Sequence, residues 1–331
     1  MTLRIGILGA ARIADAALIV PARELGHRIV AVGARDLDRA EKFAAQHGID
    51  RAHGSYEEVL ADPDVDVVYN PLVNSLHAPW NLRAIDAGKH VLSEKPFAAN
   101  GVEARIVADA ARASDRIVTE AFHYATHPML RRLRAIALGG EIGELRHVEI
   151  TMMIPAPADD DPRWSLDLAG GALMDLGCYG LHAVDQIAGW LGGSALVGAA
   201  RAGQRSGRPG VDEWVQVELD LPGGATASML THMAGPEMQM RLVLIGSRGR
   251  VEAPCFVLPQ LDERLLVRSG VAERQEWITG PTSYVCQLAA LDAAVNGIAA
   301  PPIGLDDTIA TMDLVDATYL AAGMEPRPGK G

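Results

Sequence analysis

A doubly wound parallel α/β sheet, followed by an α+β domain on a large, open, mainly antiparallel sheet, is the fold class this sequence predicts. Three observations predict it. The stretch Gly6-Ile7-Leu8-Gly9-Ala10-Ala11-Arg12-Ile13-Ala14 turns an apolar run into a helical pattern. From there to about residue 120, short β-rich runs alternate with helical ones, the order that winds a parallel sheet. Beyond that point, alternating apolar and polar runs follow one another through glycine-containing turns.

Residues 3–8, 28–32, 65–69, 90–93 and 116–120 are near-continuous apolar runs, as strands covered on both faces read. Between them, residues 12–25, 38–47, 55–61, 77–87 and 101–113 carry Ala, Leu, Glu and Arg at helical spacing. The runs at 146–153, 213–219, 226–233, 240–245 and 249–253 predict antiparallel strands, with turns at Pro222-Gly223-Gly224 and Gly246-Ser247-Arg248-Gly249. A glycine-rich helix is expected over 170–191, and two more helices over 284–296 and 306–322. The change of pattern sets the domains at 1–122 and 123–331. An open sheet has a face its own helices leave bare, which predicts a homodimer or higher homo-oligomer. Residues 326–331 read as a frayed tail.

A chain of 331 residues suits two domains, each with its own core. The formal net charge of −12, with no offsetting basic block, argues against a nucleic-acid partner. Cys178, Cys255 and Cys286 are far apart and lack metal-ligand spacing, so they read as reduced thiols in a cytoplasmic protein, and no metal is expected. No apolar stretch approaches the roughly 20 residues of a membrane helix, and no signal-peptide pattern is present.

The glycine stretch departs from GxGxxG, its three positions being Gly9, Ala11 and Ala14. Gly9 suits a tight turn and Ala14 close helix–strand packing. Around Ala11, Arg12 and Ile13 the free N–H groups of a helix start would face a dinucleotide pyrophosphate. The second strand ends Val32-Gly33-Ala34-Arg35-Asp36, a small residue and an arginine where an NAD site usually has a carboxylate. Arg35, with Arg39 on the next helix, favours the 2′-phosphate of NADP; Asp36 keeps NAD open as the alternative cofactor. Asn70-Pro71-Leu72-Val73-Asn74-Ser75-Leu76-His77 reads as a loop lining the cofactor cleft through Leu72, Asn74 and His77, with Ser75 or Asn74 capping the helix that follows.

Glu94-Lys95-Pro96 puts a lysine at the carboxyl end of a buried strand, and a Lys-Pro bond is able to be cis. In the second half, Asp175, Tyr179 and His182 stand at i, i+4 and i+7, and a regular helix would bring them to one face. Gly177 and Gly180 between them weaken that helix, which makes sense where a ligand approaches the backbone. Trp164 is assigned to stacking on a sugar ring, with core cover as the alternative reading. His123 is a further polar candidate for substrate, although capping or surface roles suit both it and His127.

On these segments, with Ala87-Gly88-Lys89-His90-Val91-Leu92-Ser93 before Glu94 and Glu120-Ala121-Phe122 after it, the chain resembles the Gfo/Idh/MocA family. It is most similar to the branch of dihydrodiol dehydrogenase, anhydrofructose reductase and NADP-dependent xylose dehydrogenase. The resemblance spans nearly the whole chain. It implies a nicotinamide-dependent oxidoreductase for a sugar, polyol or cyclic diol, with Glu94 and Lys95 in the cofactor cleft. It also makes Lys95, Tyr179 and, one turn before the tyrosine, Asp175 catalytic, with Asp175, Tyr179 and His182 expected to contact the substrate. A phenol with a pKa of about 10 exchanges a proton near neutrality only if that value falls, which the Lys95 ammonium would favour. Ala125 stands where relatives often carry arginine. Two alternatives are a glycosidase using bound NAD for transient oxidation, which Arg35 disfavours, and a non-catalytic dinucleotide-binding regulator, which needs neither Lys95 nor Tyr179.

Overall fold

The apolar runs of the first half become short strands buried on both faces in a computed structural model, which describes residues 2–330. In chain order they are β1 (Arg4–Leu8), β2 (Arg28–Gly33), β3 (Arg51–His53), β4 (Val67–Asn70), β5 (His90–Ser93) and β6 (Val118–Glu120). The helices between them are α1 (Val20–Leu25), α2 (Leu37–His47), α3 (Tyr56–Ala61), α4 (His77–Asp86) and α5 (Gly101–Arg112). The six strands are parallel in the order β3-β2-β1-β4-β5-β6, a doubly wound sheet. A π-turn, Asp15–Ile19, leads into α1 just before Pro21. Proline lacks an N–H and collides with the carbonyl four residues back, so a widened turn accommodates it.

The second unit begins with α6 (Pro128–Leu138) and β7 (Leu145–Met153), then α7 (Cys178–Trp190) behind a second π-turn, Leu173–Gly177. Seven strands follow: β8 (Leu196–Gln204), β9 (Asp212–Asp220), β10 (Thr226–His232), β11 (Gln239–Gly246), β12 (Gly249–Ala253), β13 (Arg264–Ser269) and β14 (Ala272–Trp277). With β7 they form one sheet, β14-β13-β12-β11-β7-β10-β9-β8, antiparallel except for β7 beside β10. Its inner face is apolar and buried, as at Val148, Ile150, Met152, Val217, Met229 and Leu244. Glycines bring α7 close to it: a Cβ on Gly180 would lie 2.3 Å from Met229 Sδ, and one on Gly177 would lie 3.1 Å from Thr231 Cγ2. These two glycines therefore serve helix–sheet packing, and not the ligand approach that the sequence suggested.

The chain ends with α8 (Ser283–Val295) and α9 (Leu305–Ala321). The division into units differs from a single cut after residue 122. One unit takes the chain up to Thr126, Tyr284–Ile309 and the residues from Gly329; the other takes His127–Ser283 and Ala310–Pro328. The reason lies in α8, whose Leu288 and Leu291 are buried with Leu3, Ile5, Tyr69 and Leu92 of the parallel-sheet core.

Arg327 and Lys330 are pinned, contrary to the frayed tail expected over 326–331; Gly331 lies outside the described residues. Arg327 is 2 % exposed, and its Nη2 pairs with the buried Asp212 carboxylate. Lys330 N donates to Glu103 Oε1 at 2.6 Å. Among the described residues, no helix is long and apolar enough to cross a membrane.

Candidate active site

Parallel strands end together, so the loops after β1, β2, β4, β5 and β6 share one edge of their sheet, where doubly wound folds bind ligands. After β1, Gly9 adopts φ +95°, a backbone open to glycine, and its N–H donates to Gly33 O at 2.7 Å. A Cβ there would also lie 3.1 Å from Leu72 Cδ2, so the tight turn is a requirement of this residue. Ala11 is half-buried and Arg12 and Ile13 are exposed, while Ala14 is fully buried against the sheet. The exposed backbone at the start of a helix fits a pyrophosphate.

After β2, Ala34 is buried and Arg35 exposed. Asp36 caps α2, accepting from Arg39 N at 3.4 Å, so its carboxylate is engaged locally. The Arg39 guanidinium donates to Ala10 O at 2.9 Å and ties α2 to the glycine turn. Arg35 and Arg39 are both exposed at this corner, and the residues present fit a 2′-phosphorylated dinucleotide.

The loop after β4 is braced by amides. Asn70 Nδ2 donates to Asn81 Oδ1 at 2.8 Å and to His77 O at 3.1 Å. His77 has Pro96 O 2.6 Å from Nδ1 and Leu72 O 2.8 Å from Nε2, which joins this loop to the one after β5. Burial pushes its imidazole down to about 4, so near neutrality it is uncharged and donates to one of the two carbonyls. No side chain caps α4, in contrast to the expectation for Ser75 and Asn74. Ser75 Oγ is instead buried with no hydrogen-bond partner among the described residues.

After β5, Glu94 Oε1 accepts from Tyr69 OH at 2.7 Å, and its Oε2 lies 3.3 Å from Lys95 N. Burial, with help from the Glu94 carboxylate, holds the Tyr69 phenol well above its ordinary value, so it stays a donor. Lys95 is half-buried, and the Lys95–Pro96 peptide is cis. At the end of β6, Glu120 Oε1 accepts from Phe97 N at 2.9 Å, while Oε2 has no partner among the described residues. Burial pushes this carboxyl up to about 8, and the Glu94 carboxylate adds to the rise. His123 is 2 % exposed, and so not a surface residue; its ring stacks on Tyr284 of α8 with centroids 4.1 Å apart.

In the second unit, Asp175 lies within the π-turn and Tyr179 within the first turn of α7. The start of this helix is held from several sides. Asp212 Oδ2 accepts from Leu173 N at 2.7 Å, and Arg327 Nε donates to Gly170 O at 2.7 Å. A Cβ on Gly171, at φ +126°, would lie 2.0 Å from Asp212 Oδ1. Arg163, gripped by Asp161 through bonds of 2.9 Å, reaches Asp175 Oδ2 at 3.5 Å. No local pattern in the sequence marks Arg163 for this position.

The polar stripe predicted for this helix is not uniform, because the widened turn breaks regular helical spacing. Tyr179 retains 7 % exposure and the Asp175 side chain 18 %, but His182 has none. Burial pushes the His182 imidazole down to about 3, which makes it a neutral core residue and not a substrate contact. Trp164 is 1 % exposed, with Arg205 Cζ 4.6 Å from its ring centroid, so core cover replaces sugar stacking. His127 caps α6, its Nδ1 accepting from Met129 N at 3.2 Å. Among the described residues, no cluster of His, Cys, Asp and Glu has the geometry to hold a metal.

Comparison with known proteins agrees with these two architectures. Residues 3–122 match the oxidoreductase family with an NAD-binding Rossmann fold, and residues 130–252 match the GFO/IDH/MocA C-terminal domain. D-xylose 1-dehydrogenase (NADP(+)) 2 of Haloferax volcanii is 34 % identical over 320 residues, 96 % of each chain. Trans-1,2-dihydrobenzene-1,2-diol dehydrogenase of Mus musculus is 37 % identical, over 69 % of this chain and 68 % of its own. KijD10, a 3-ketoreductase from Actinomadura kijaniata solved with NADP and TDP-benzene, superposes with a TM-score of 0.89 at 28 % identity, covering 97 % of this chain and 98 % of its own. The chain belongs to the GFO/IDH/MocA family of oxidoreductases, in the company of NAD(P)-dependent enzymes of sugars and diols.

Proposed function

We propose that the protein is an NADP(H)-dependent dehydrogenase or reductase that interconverts a carbinol and a carbonyl on a sugar, polyol or cyclic diol. The observation that carries the reading is the position of Lys95: half-buried after β5, on the same sheet edge as the Gly9 turn and Arg35. The bound nicotinamide supplies the hydride donor or acceptor. The N–H groups of Arg12 and Ile13 bind the pyrophosphate, that of Ala11 being engaged by Gly9 O at 2.8 Å, and Arg35 pairs with the 2′-phosphate.

Tyr179 gives a proton to the substrate oxygen in reduction and takes one in oxidation. Lys95 favours the phenolate form and stabilises charge on the same oxygen. Asp175, with Arg163 at its side, orients neighbouring hydroxyls. Support comes from KijD10, in which a tyrosine and a lysine have each been substituted; those two residues are as far apart in its chain as Tyr179 and Lys95 are here. The relatives named for xylose and for dihydrodiols support this substrate class.

The outer face of the eight-stranded sheet carries Met153, Leu230, Ile245 and Leu266 half-exposed, with Trp277 63 % exposed. These apolar side chains, set among charged ones such as Glu149, Arg241 and Glu252, suit a second copy, and the proposed working form is a homodimer or higher homo-oligomer. Three free cysteines suit the cytoplasm.

Absorbance of NADPH across a panel of aldoses, keto-sugars and diols tests the function; no turnover with any of them would sink it. Arg35→Ala should weaken NADP binding by about 1.5–3 kcal/mol and NAD binding far less. Equal losses by titration calorimetry would move the 2′-phosphate elsewhere.

A further inference from the structure

Glu120, the last residue of β6, is fully buried and takes no part in the reaction described above. It pairs with Ser93 across the sheet, and Ala121 N donates to Ser93 O at 2.8 Å, so it stands at the root of the turn that carries Lys95. Its Oε1 accepts from Phe97 N at 2.9 Å, two residues past the lysine, while Oε2 has no partner among the described residues. The approach to α9 covers this strand end. Thr119 Oγ1 donates to Ile303 O at 3.0 Å and accepts from Ile303 N at 3.2 Å, and Thr308 is near enough to act on the carboxyl.

A buried carboxylate with one bare oxygen costs more than the same group as a neutral acid. Burial pushes Glu120 up to about 8 against the pull of Thr308, Phe97 N and the Lys95 ammonium, with the Glu94 carboxylate adding to the rise. The charged groups that bear on it are thus Glu94 and Lys95. Around them Tyr69 and Tyr284 stay protonated phenols and His77 a neutral imidazole.

We propose that Glu120 is a positioning residue for Lys95: it anchors the turn that presents the lysine and adds no second anion beside it. The inference rests on the role given to Lys95 above. Sealed from solvent, Glu120 meets neither cofactor nor substrate and acts only through the lysine. An ionised carboxyl here would draw the ammonium back from the reacting oxygen, so the buried proton keeps that charge available.

The test uses the full-length protein. Lys42, Lys89, Lys95 and Lys330, the lysines of the chain, are dimethylated with isotope-labelled methyl groups and followed by NMR without cofactor, Lys95→Arg assigning the signal. In wild type the Lys95 signal should inflect near pH 8, the titration of Glu120, and Glu120→Gln should remove that inflection. Glu120→Met, of similar volume but without an acceptor for Phe97 N, should move the Lys95 signal near neutrality and leave Lys42, Lys89 and Lys330 in place. In unmodified protein its turnover should fall by about tenfold to a hundredfold, with KM and NADPH affinity within a few fold of wild type. Glu120→Gln keeps a carbonyl for Phe97 N and should restore turnover near neutrality. A Lys95 signal without the inflection, or a Gln variant as slow as the Met variant, overturns the role of Glu120. Wild-type protein that turns over no sugar or diol overturns the reading of the reaction instead, and the NMR titration alone then decides whether Glu120 acts on Lys95.

Discussion

Lys95→Ala should lower turnover by about a hundredfold to ten-thousandfold, the range for losing a positioned acid–base or charge-stabilising group. NADPH affinity should stay within a few fold of wild type, because the proposed reading gives most of that binding to the Gly9 turn and Arg35. The reason lies in how the lysine is held. Its own N–H faces Glu94 Oε2 at 3.3 Å, and the next carbonyl, Pro96 O, lies 2.6 Å from His77 Nδ1. The backbone on either side is thus tied down, and the ammonium is presented from a rigid strand end. On the proposed mechanism, removing it deletes the charge that stabilises the reacting oxygen. Stopped-flow hydride transfer gives the chemical step and fluorescence titration the affinity; undiminished transfer would take Lys95 out of the mechanism.

Arg327→Met should destabilise the second unit by about 3–5 kcal/mol, the cost of leaving one member of a buried ion pair alone. Arg327 is 2 % exposed and Asp212 is fully buried. The arginine also donates to Gly170 O, and its Cζ stands 4.1 Å from the Tyr319 ring centroid. Tyr319 OH donates to Asp212 at 3.0 Å, and Asp212 in turn accepts from Leu173 N at the start of the Asp175 helix. A residue near the chain end therefore braces the turn that carries Asp175. Urea unfolding followed by near-ultraviolet dichroism should show the loss; a change below about 1 kcal/mol would mean that this cluster is solvated more than its burial implies.

Most of this fold was legible because burial imposes a period on sequence. Parallel strands covered on both faces read as apolar runs, and β1, β2, β4, β5 and β6 appeared within a few residues of their bounds. Some elements that stayed hidden bury little, but α6, with Leu133 and Ile136, and β13, with Leu265 and Val267, were missed although they bury apolar side chains. β3 is three residues long and only half-buried. β8, with Gly198, Ala199 and Ala200, and β14, Ala-Glu-Arg-Gln-Glu-Trp, are the two edges of the large sheet, where polarity protects unpaired backbone. The tail misled because Arg327 looks like a solvent residue until Asp212 is seen beside it.

At the candidate site, turn chemistry and strand ends pointed to Gly9, Arg35 and Lys95, since loops at a sheet edge follow directly from topology. Long-range partners left no local signal: Asp161 with Arg163, Tyr69 with Glu94, and Tyr284 with His123. Helical spacing failed at His182, and Trp164 took the core-cover reading instead of stacking, because a π-turn and a covering arginine are decided by tertiary packing.

Single-turnover hydride transfer in Lys95→Ala, Tyr179→Phe and the double variant bears most directly on the claim that ammonium and phenol work as one unit. Groups that act together are non-additive, so the double variant should be scarcely slower than the slower single one. Losses that multiply, as for two independent residues, would contradict it.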